Sequence, residues 1–507
     1  MSNHPPLRRY HAPVWDEPLA MEMSVAGRRG QHYPIVDADD LVPAAMRRQA
    51  PPELPEISEP DVLRHYLRLS QQTMGMMGIS LFGTCTMKYN PRLHEKLAAG
   101  PHVAEMHPEQ HPDTMQGLLE CVWRLEDALK ALSGMARFSF QPAGGADAAY
   151  TQACITRAYH AAHGDADRRT QIVTSIQSHP CNPATAAAAG FDIVTLPLES
   201  NGYPSIQALR AALSDRTAAL FINNPDDMGV YNPEIRDWVD AVHAAGGLCF
   251  YDHANFNGVM GKIRAADLGF DACMFMLHKT FGVPKGGGGP AVGAYGCTEK
   301  LAPFLPGPLV AKDGNGFAVE PGAASSIGRV REYWGNIHQV MKAYGWVAAM
   351  GAEGIAEASD ISVALNNYME KKLLAIRGVT RSHPDQPGWR LEMTRYSLGQ
   401  LYEETGVGGG DVQNRMADFG IDAFWMAHEP WIFPHPFTPE AGEMWSREDI
   451  DYWIAVLAHV CDEAYRDPDM VKSAPHNQAV GKLAGDDLDD PAVWATTWAA
   501  WQRKHGG

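Results

Sequence analysis

Between residues 110 and 300 the chain alternates helical stripes with short apolar runs, and that alternation narrows the folds open to it. Met115 to Ser133 carries apolar residues at 115, 118, 119, 122, 125, 129 and 132, a helical stripe stopped by Gly134. Gln171 to Ser175 and Phe191 to Leu196 are short β-rich runs. Ala218 to Ile222 is an apolar strand ending in Asn223-Asn224-Pro225, and Leu248 to Tyr251 is another. Between them, Ile235 to Ala245 reads as a helix stopped by Gly246-Gly247. Strands alternating with helices predict an α/β fold with a mostly parallel sheet. Ligands of such sheets bind at the carboxyl ends of the strands, so the residues just past each strand matter most.

The flanks read differently. Residues 1–75, with PPELPEISEP at 51–60, predict an N-terminal extended arm, and 76–335 a large domain. Residues 336–485 open on a long helical segment, Val340 to Leu374, and predict a smaller C-terminal α+β domain. A tail over 486–507 carries Trp494, Trp498 and Trp501. The chain has 507 residues, 45% hydrophobic, enough for a large core. Its net charge of −18 argues against nucleic acid, which is gripped by surplus Lys and Arg. No apolar run is long enough to span a membrane, and residues 1–10 lack an apolar signal segment. Eight scattered cysteines form no CxxC pair and no zinc-like cluster, so a reduced, cytoplasmic protein without a metal is expected.

Four strand-end features carry chemistry. Asp252 follows the apolar run 248–251, where a carboxylate can keep a pyridine nitrogen protonated. Lys279 follows another apolar run, 274–277, where desolvation suits a Schiff-base lysine. His278 and Thr280 make it part of a polar trio. Gln141-Pro142-Ala143-Gly144-Gly145-Ala146 leads into a predicted helix over 149–162, an anion site for a phosphate. His179, within Ser178 to Pro183, stands where an imidazole could stack on a planar ring. Singly, each has an ordinary reading: a capping aspartate, a surface lysine, a glycine turn, a loop histidine. A glycine run at 286–289 is equally ambiguous, and Lys285 precedes it, unlike a Walker A loop. Together, in this order, they are the pattern of fold-type I (aspartate aminotransferase-like) enzymes of pyridoxal 5′-phosphate (PLP).

The chain also resembles the β-subunit family of glycine dehydrogenase (decarboxylating), the P-protein of the glycine cleavage system. The resemblance rests on LPEISEPDVLRHYLRLSQ (54–71), GTCTMKYNPRLHEKL (83–97), MHPEQHPDTMQG (106–117), QPAGGA (141–146), LHKTF (277–281), GGGGP (286–290), SSIGRVR (325–331) and APHNQAVGKL (474–483). It covers about residues 25 to 485. It implies PLP as cofactor, bound as a Schiff base on Lys279 beside His278, with Asp252 at the pyridine nitrogen and Asn255 in the same loop. His179 would stack on the ring, and Gly144, Gly145 and Ala146 would hold the phosphate. His107 and the segment Cys85–Asn90 would lie near the cofactor mouth. It further implies decarboxylation of a small amino acid, glycine, with the aminomethyl group passed to a lipoylated H-protein. An α-subunit of similar fold would complete an α2β2-type oligomer, a homodimer being the simpler assembly.

Departures from the family pattern cluster at the site. PAAGAHGE reads PAGGADAA, with Asp147 and Ala149 in place of His and Glu. HGTNPAS reads HPCNPAT, bringing in Pro180 and Cys181. YDGANLN reads YDHANFN, which is expected to put His253 and Phe256 at the pocket. TNPNTLG reads NNPDDMG, adding Asp226 and Asp227 after Asn224, which is itself expected at the substrate pocket. These changes keep two other readings open: a PLP enzyme acting on another amino acid or amine (decarboxylase, C–C lyase or aminotransferase), and a non-catalytic partner subunit.

Overall fold

The computed structural model describes residues 5–28, 30, 41–50, 52–75, 78–83, 88–284, 286, 290–386, 388–424, 426–428, 430–483 and 497–505. It groups into two compact units. The first comprises Met1–Pro5, Leu81–Gly409 and Phe424–Cys461; the second comprises Pro6–Ser80, Gly410–Ala423 and Asp462–Gly507.

The first unit is built on a seven-stranded sheet. Its strands are β1 (Arg137–Ser139), β2 (Gln171–Ser175), β3 (Asp192–Leu196), β4 (Thr217–Asn223), β5 (Leu248–His253), β6 (Ala272–Met276) and β7 (Gly293–Cys297). The spatial order is β1-β7-β6-β5-β4-β2-β3. Only β7 runs against the others, pairing antiparallel with both β1 and β6. The expected α/β fold with a mostly parallel sheet is therefore present, and the carboxyl ends of six strands lie along one edge.

Both faces of the sheet are covered, which is why its strands are nearly continuous apolar runs. Alternate residues go to opposite faces. Cys249 and Tyr251 of β5 enter one core with Leu119, Trp238, Phe256 and Phe275. Leu248 and Phe250 enter the other, with Ala148, Ala153, Met274 and Met276. Each buried aromatic or aliphatic side chain contributes about 1.5–3 kcal/mol, so a one-residue slip in register is strongly disfavoured.

Helix α1 (Gln116–Ser133) ends on Gly134, left-handed at φ 72°. Helix α2 (Gly145–Ala162) begins four residues earlier than the apolar pattern indicates. Glycine and alanine carry no periodic signal, so its first turn is hidden in the Gly-Gly-Ala stretch. Helix α3 (Cys181–Ala188) starts after Pro180, which serves as its N-cap. The long segment after 336 forms Ile337–Leu373, broken at Gly351, whose φ of 62° is not helical.

In the second unit, helix Glu59–Gln71 is capped by Ser58, whose hydroxyl accepts the Asp61 N–H. Glu17 meets His65 at 2.8 Å, and Ile79 pairs with Ile421 in a short parallel bridge. Among the described residues no helix is long and apolar enough to cross a membrane. Seven cysteines (121, 154, 181, 249, 273, 297 and 461) are free thiols.

Gly229 gives a direct test of this packing. It adopts φ +78°, and a Cβ there would stand 2.0 Å from the Met393 carbonyl oxygen. Gly229→Ala is expected to lower stability to urea by about 2–4 kcal/mol, combining left-handed strain with overpacking. A loss below about 0.5 kcal/mol, the level of an ordinary surface change, would show that the 229–393 contact is not tight.

Candidate active site

Asp252 is the penultimate residue of β5, not the first residue beyond it, and lies in register between Asn223 of β4 and Met274 of β6. Its parity puts the carboxylate on the face covered by α2 and α3. There Asn182 of α3 donates to Oδ2 at 3.0 Å and the Ala254 N–H donates to Oδ1 at 2.9 Å. Burial pushes its pKa up to about 6, against the pull of Ala254, the Lys279 ammonium and Asn182.

Lys279 sits in the turn after β6, its N–H bonded to the Met276 carbonyl at 3.1 Å. It is buried, as are its neighbours His278 and Thr280. The Thr280 hydroxyl accepts the Phe256 N–H at 3.1 Å, tying the lysine turn to the loop after β5. The ammonium acts on four neighbours: it lowers the pKa of Asp252, His179, His278 and Cys181. The two charged groups thus occupy ends of adjacent strands.

His179 flanks this pair. Burial depresses its pKa to about 4, with Lys279 and His428 assisting and Asp227 opposing. The ring is neutral at physiological pH. The Cys181 N–H donates to Nδ1 at 3.1 Å, so the ring hydrogen is on Nε2. Burial likewise holds His278 at about 4.

The glycine loop lies across the edge. Gly144 precedes α2, which has no side-chain cap, and a Cβ at Gly144 would meet nothing within 4 Å. A first helical turn has N–H groups with no intrahelical acceptor. Gly144 also passes close to β7: a Cβ on Gly293 would come 2.4 Å from the Gly144 carbonyl oxygen. Asp147 turns back so that Oδ2 accepts the Ala143 N–H at 2.7 Å. Burial raises its carboxyl above the ordinary range.

These residues suit a PLP-sized group. An open cradle at a helix N-terminus stands on the same sheet edge as a buried carboxylate and lysine. Buried polar atoms nearby (Ser178 Oγ, Asn182 Oδ1, His278 Nδ1 and Gln177 Oε1) have no hydrogen-bond partner in the protein. Such atoms are costly unless a bound group meets them.

Not every expected residue joins the cluster. His253 does not: strand alternation turns it to the opposite face, against Tyr251, Phe256 and Phe275. There burial drives its pKa down to about 3. Phe256 goes with it, so neither adds bulk to the pocket. Asn224 closes its own loop, its amide bonded to Asn232 in both directions at 2.7 and 3.1 Å. His107 is exposed and packs edge-on to Tyr333 at 6.0 Å. Tyr333 lines a cleft of about 490 Å³ with Gly307, Arg329 and Trp334. Gln141 joins that cleft to the glycine loop by donating to the Gly307 carbonyl at 2.8 Å. Asn255 donates to both oxygens of Glu440, at 3.1 and 3.0 Å. Cys85 and Gly287–Gly289 lie outside the described residues.

Sequence reading assigned no role to Asn182, Glu440, Glu392 or His428. Asn182 had a signal: it is the second residue of α3 and stands three residues after His179. Glu440 had none, being 185 residues from Asn255. Glu392 is fully buried with neither oxygen bonded, against Gly258, where a Cβ would overlap Oε2 at 1.8 Å. Burial, then Glu440 and Asp226, push its pKa up to about 8.

That acid gives a pH signature. Asp252, Asp226 and Glu392 titrate near 6, 7 and 8 in the folded protein. Unfolded carboxyls titrate near 4. Each folded acid keeps a proton that the unfolded chain has lost, so stability falls as pH rises through those values. His179, His278 and His253 act oppositely, but only below the ordinary histidine value of 6.5. Between pH 6.5 and 8, Glu392 should contribute a fall of roughly 1 kcal/mol per pH unit. Glu392→Gln is expected to flatten urea stability over this window; an unchanged slope would show that Glu392 is ionised when folded.

The Aminotransferase class-V family matches residues 149–395, a span that includes His179, Asp252 and Lys279. A solved structure described as glycine decarboxylase (P-protein) of the glycine cleavage system, in inhibitor-bound form, superposes with a TM-score of 0.68 at 22% identity, covering 82% of this chain and 93% of its own. It shares the fold. Two curated relatives are each named probable glycine dehydrogenase (decarboxylating) subunit 2. That of Pyrococcus horikoshii is 41% identical, covering 96% of this chain and 97% of its own length. That of Thermococcus onnurineus is 42% identical, over 92% and 93%. Aligned with such relatives over nearly its full length, the chain belongs to the glycine dehydrogenase (decarboxylating) subunit 2 family.

Proposed function

We propose that this chain is the PLP-bearing subunit of a glycine decarboxylase, with Lys279 as the cofactor lysine. Its aminomethyl product would pass to a lipoylated H-protein, and a subunit 1 would complete the assembly, as the subunit 2 names of its relatives imply. The observation that carries this reading is the buried Asp252–Lys279 pair on adjacent strand ends, facing the glycine cradle at α2.

PLP supplies an electron sink for the pair released when a carboxylate leaves. The chain's own residues prepare for that. Asp252 is ionised above its pKa of about 6 and presents a carboxylate that keeps a pyridine nitrogen protonated. Asn182 and the Ala254 N–H hold that carboxylate in one orientation. The first turn of α2, from Gly145, offers N–H groups and the positive end of a helix dipole to a phosphate. His179, neutral with its hydrogen on Nε2, offers a flat imidazole face. Burial of His278, Lys279 and Thr280 excludes water from the lysine.

His253 and Phe256 pack together in the core on the opposite face of the sheet, so neither departure reshapes the site toward another substrate. Retention of Lys279 and Asp252 in buried positions speaks against a scaffold role.

Two variants test the reading. Lys279→Ala is expected to lose the lysine-dependent visible absorbance of the purified protein and exchange of CO2 into glycine. Asp252→Asn should retain cofactor but slow that exchange by about 100-fold or more, as when one charge-stabilising contact is removed. A wild-type protein that exchanges another amino acid and not glycine would overturn the substrate assignment.

A further inference from the structure

One hydrogen-bonded acid–histidine pair at the site has no part in the chemistry above. Asp227 follows β4 in the stretch NNPDDMG, where the family pattern is uncharged. Its carboxyl is buried, which pushes its pKa up, but the His428 hydrogen bond, with the nearby His179 and His428 rings and the Arg395 guanidinium, outweighs burial and leaves it lowered. The result is an ionised carboxylate in dry surroundings. The residue is held at three atoms, its two carboxylate oxygens and its backbone carbonyl. Asn223 Nδ2 donates to Oδ1 at 2.9 Å, Arg395 donates to the Asp227 carbonyl at 2.8 Å, and His428 Nδ1 lies 2.9 Å from Oδ2. An ionised carboxylate only accepts, so His428 carries a hydrogen on Nδ1.

The His428 ring then meets the His179 ring edge-on, with centroids 4.3 Å apart at 66°. His179 is fixed at its other side by the Cys181 N–H on Nδ1. One hydrogen bond leaves an imidazole able to rock, because its second side-chain torsion has broad wells. A second wall stops that motion, and the wall itself needs a fixed orientation. Asp227 provides it for His428.

We propose that Asp227 and His428 are a positioning pair that fixes the plane of the His179 imidazole beside Lys279. The pair acts through His179 and touches no reacting atom. This inference rests on the reading of Lys279 as the PLP lysine with His179 against the cofactor. Asp226, the other added acid, serves a different purpose: its Oδ1 accepts the N–H groups of Met228 and Val230 in its own turn, at 2.9 and 3.0 Å.

The test is the PLP affinity of the apoprotein, read from the Lys279-dependent absorbance band, with melting curves on the same samples. Asp227→Asn and His428→Gln are each expected to weaken PLP binding about tenfold, and the double variant also about tenfold and not a hundredfold, because the two act as a unit. In a His179→Phe background, Asp227→Asn should bring no further loss. Asp226→Asn should stay within about twofold of wild type, since an amide oxygen accepts the same two N–H groups. If Asp227→Asn melts early, His428→Gln, with a side chain 18% exposed, decides the matter. Unchanged affinity in a folded His428→Gln, or losses that multiply with His179→Phe, would overturn the pair. A wild-type protein without the Lys279-dependent band would instead overturn the proposed function, and the pair with it.

Discussion

A carboxylate and an ammonium are held out of water on neighbouring strand ends, and much of the surrounding structure makes that arrangement tolerable. Stripping a charge of water is costly unless it is paired and hydrogen-bonded. Asp252 has both supports: the Lys279 charge, and donors from Asn182 and Ala254. The strands themselves set the separation, since parallel pairing fixes Asp252 against Met274, three residues before the lysine turn begins at Leu277. The antiparallel β7 closes the other side, its Gly293 leaving room for the Gly144 carbonyl. Removing any one of these would leave an expensive charge without its compensation.

The same sheet decides what cannot reach the site. Adjacent residues of a strand face opposite ways, so Asp252 and His253 are separated by the thickness of the sheet although they share a peptide bond. His253 becomes a neutral imidazole in an aromatic layer, with burial alone lowering its pKa. Glu392 follows the same physics with the opposite sign. Against Gly258, fully enclosed, it keeps its proton because the neutral form is the one burial favours. The fold thus holds buried acids on both sides of ionisation, Asp227 charged and Glu392 neutral, sorted by the cations and donors each can reach.

Legibility in the sequence followed the range of the interactions. The strands around β2, β4 and β5 were readable because they are buried on both faces and bounded by turn residues. Asp252, Lys279, His179 and the glycine loop were readable because each stands next to such a boundary. The start of α2 was not, because Gly145 and Ala146 have no periodicity to show. The place of His253 is not legible in the same way, since a list of residues after a strand does not say which face each takes. Asn182 could have been found from its place beside His179. Glu440, His428 and Arg395 could not, because they reach the site from segments far along the chain, Glu440 from 185 residues beyond Asn255 and His428 from 201 beyond Asp227.

The departures from the family pattern sort by geometry into groups of unequal weight. His253 and Phe256 face the wrong core to touch a substrate. Asp226 caps its own turn. Pro180 occupies the N-cap of α3, where the loss of an N–H does little harm, because the first donors of a helix lack intrahelical acceptors in any case. Asp147 takes the Ala143 N–H, a change beside the phosphate cradle that leaves the later turn of α2 as it was. Only Asp227, with His428, brings a new charge up to His179. A protein selected to hold a larger amino acid would be expected to reshape the space above Lys279. Among these departures, the one added charge near the lysine meets a histidine of the protein itself. These changes therefore read as a different way of holding the same ring.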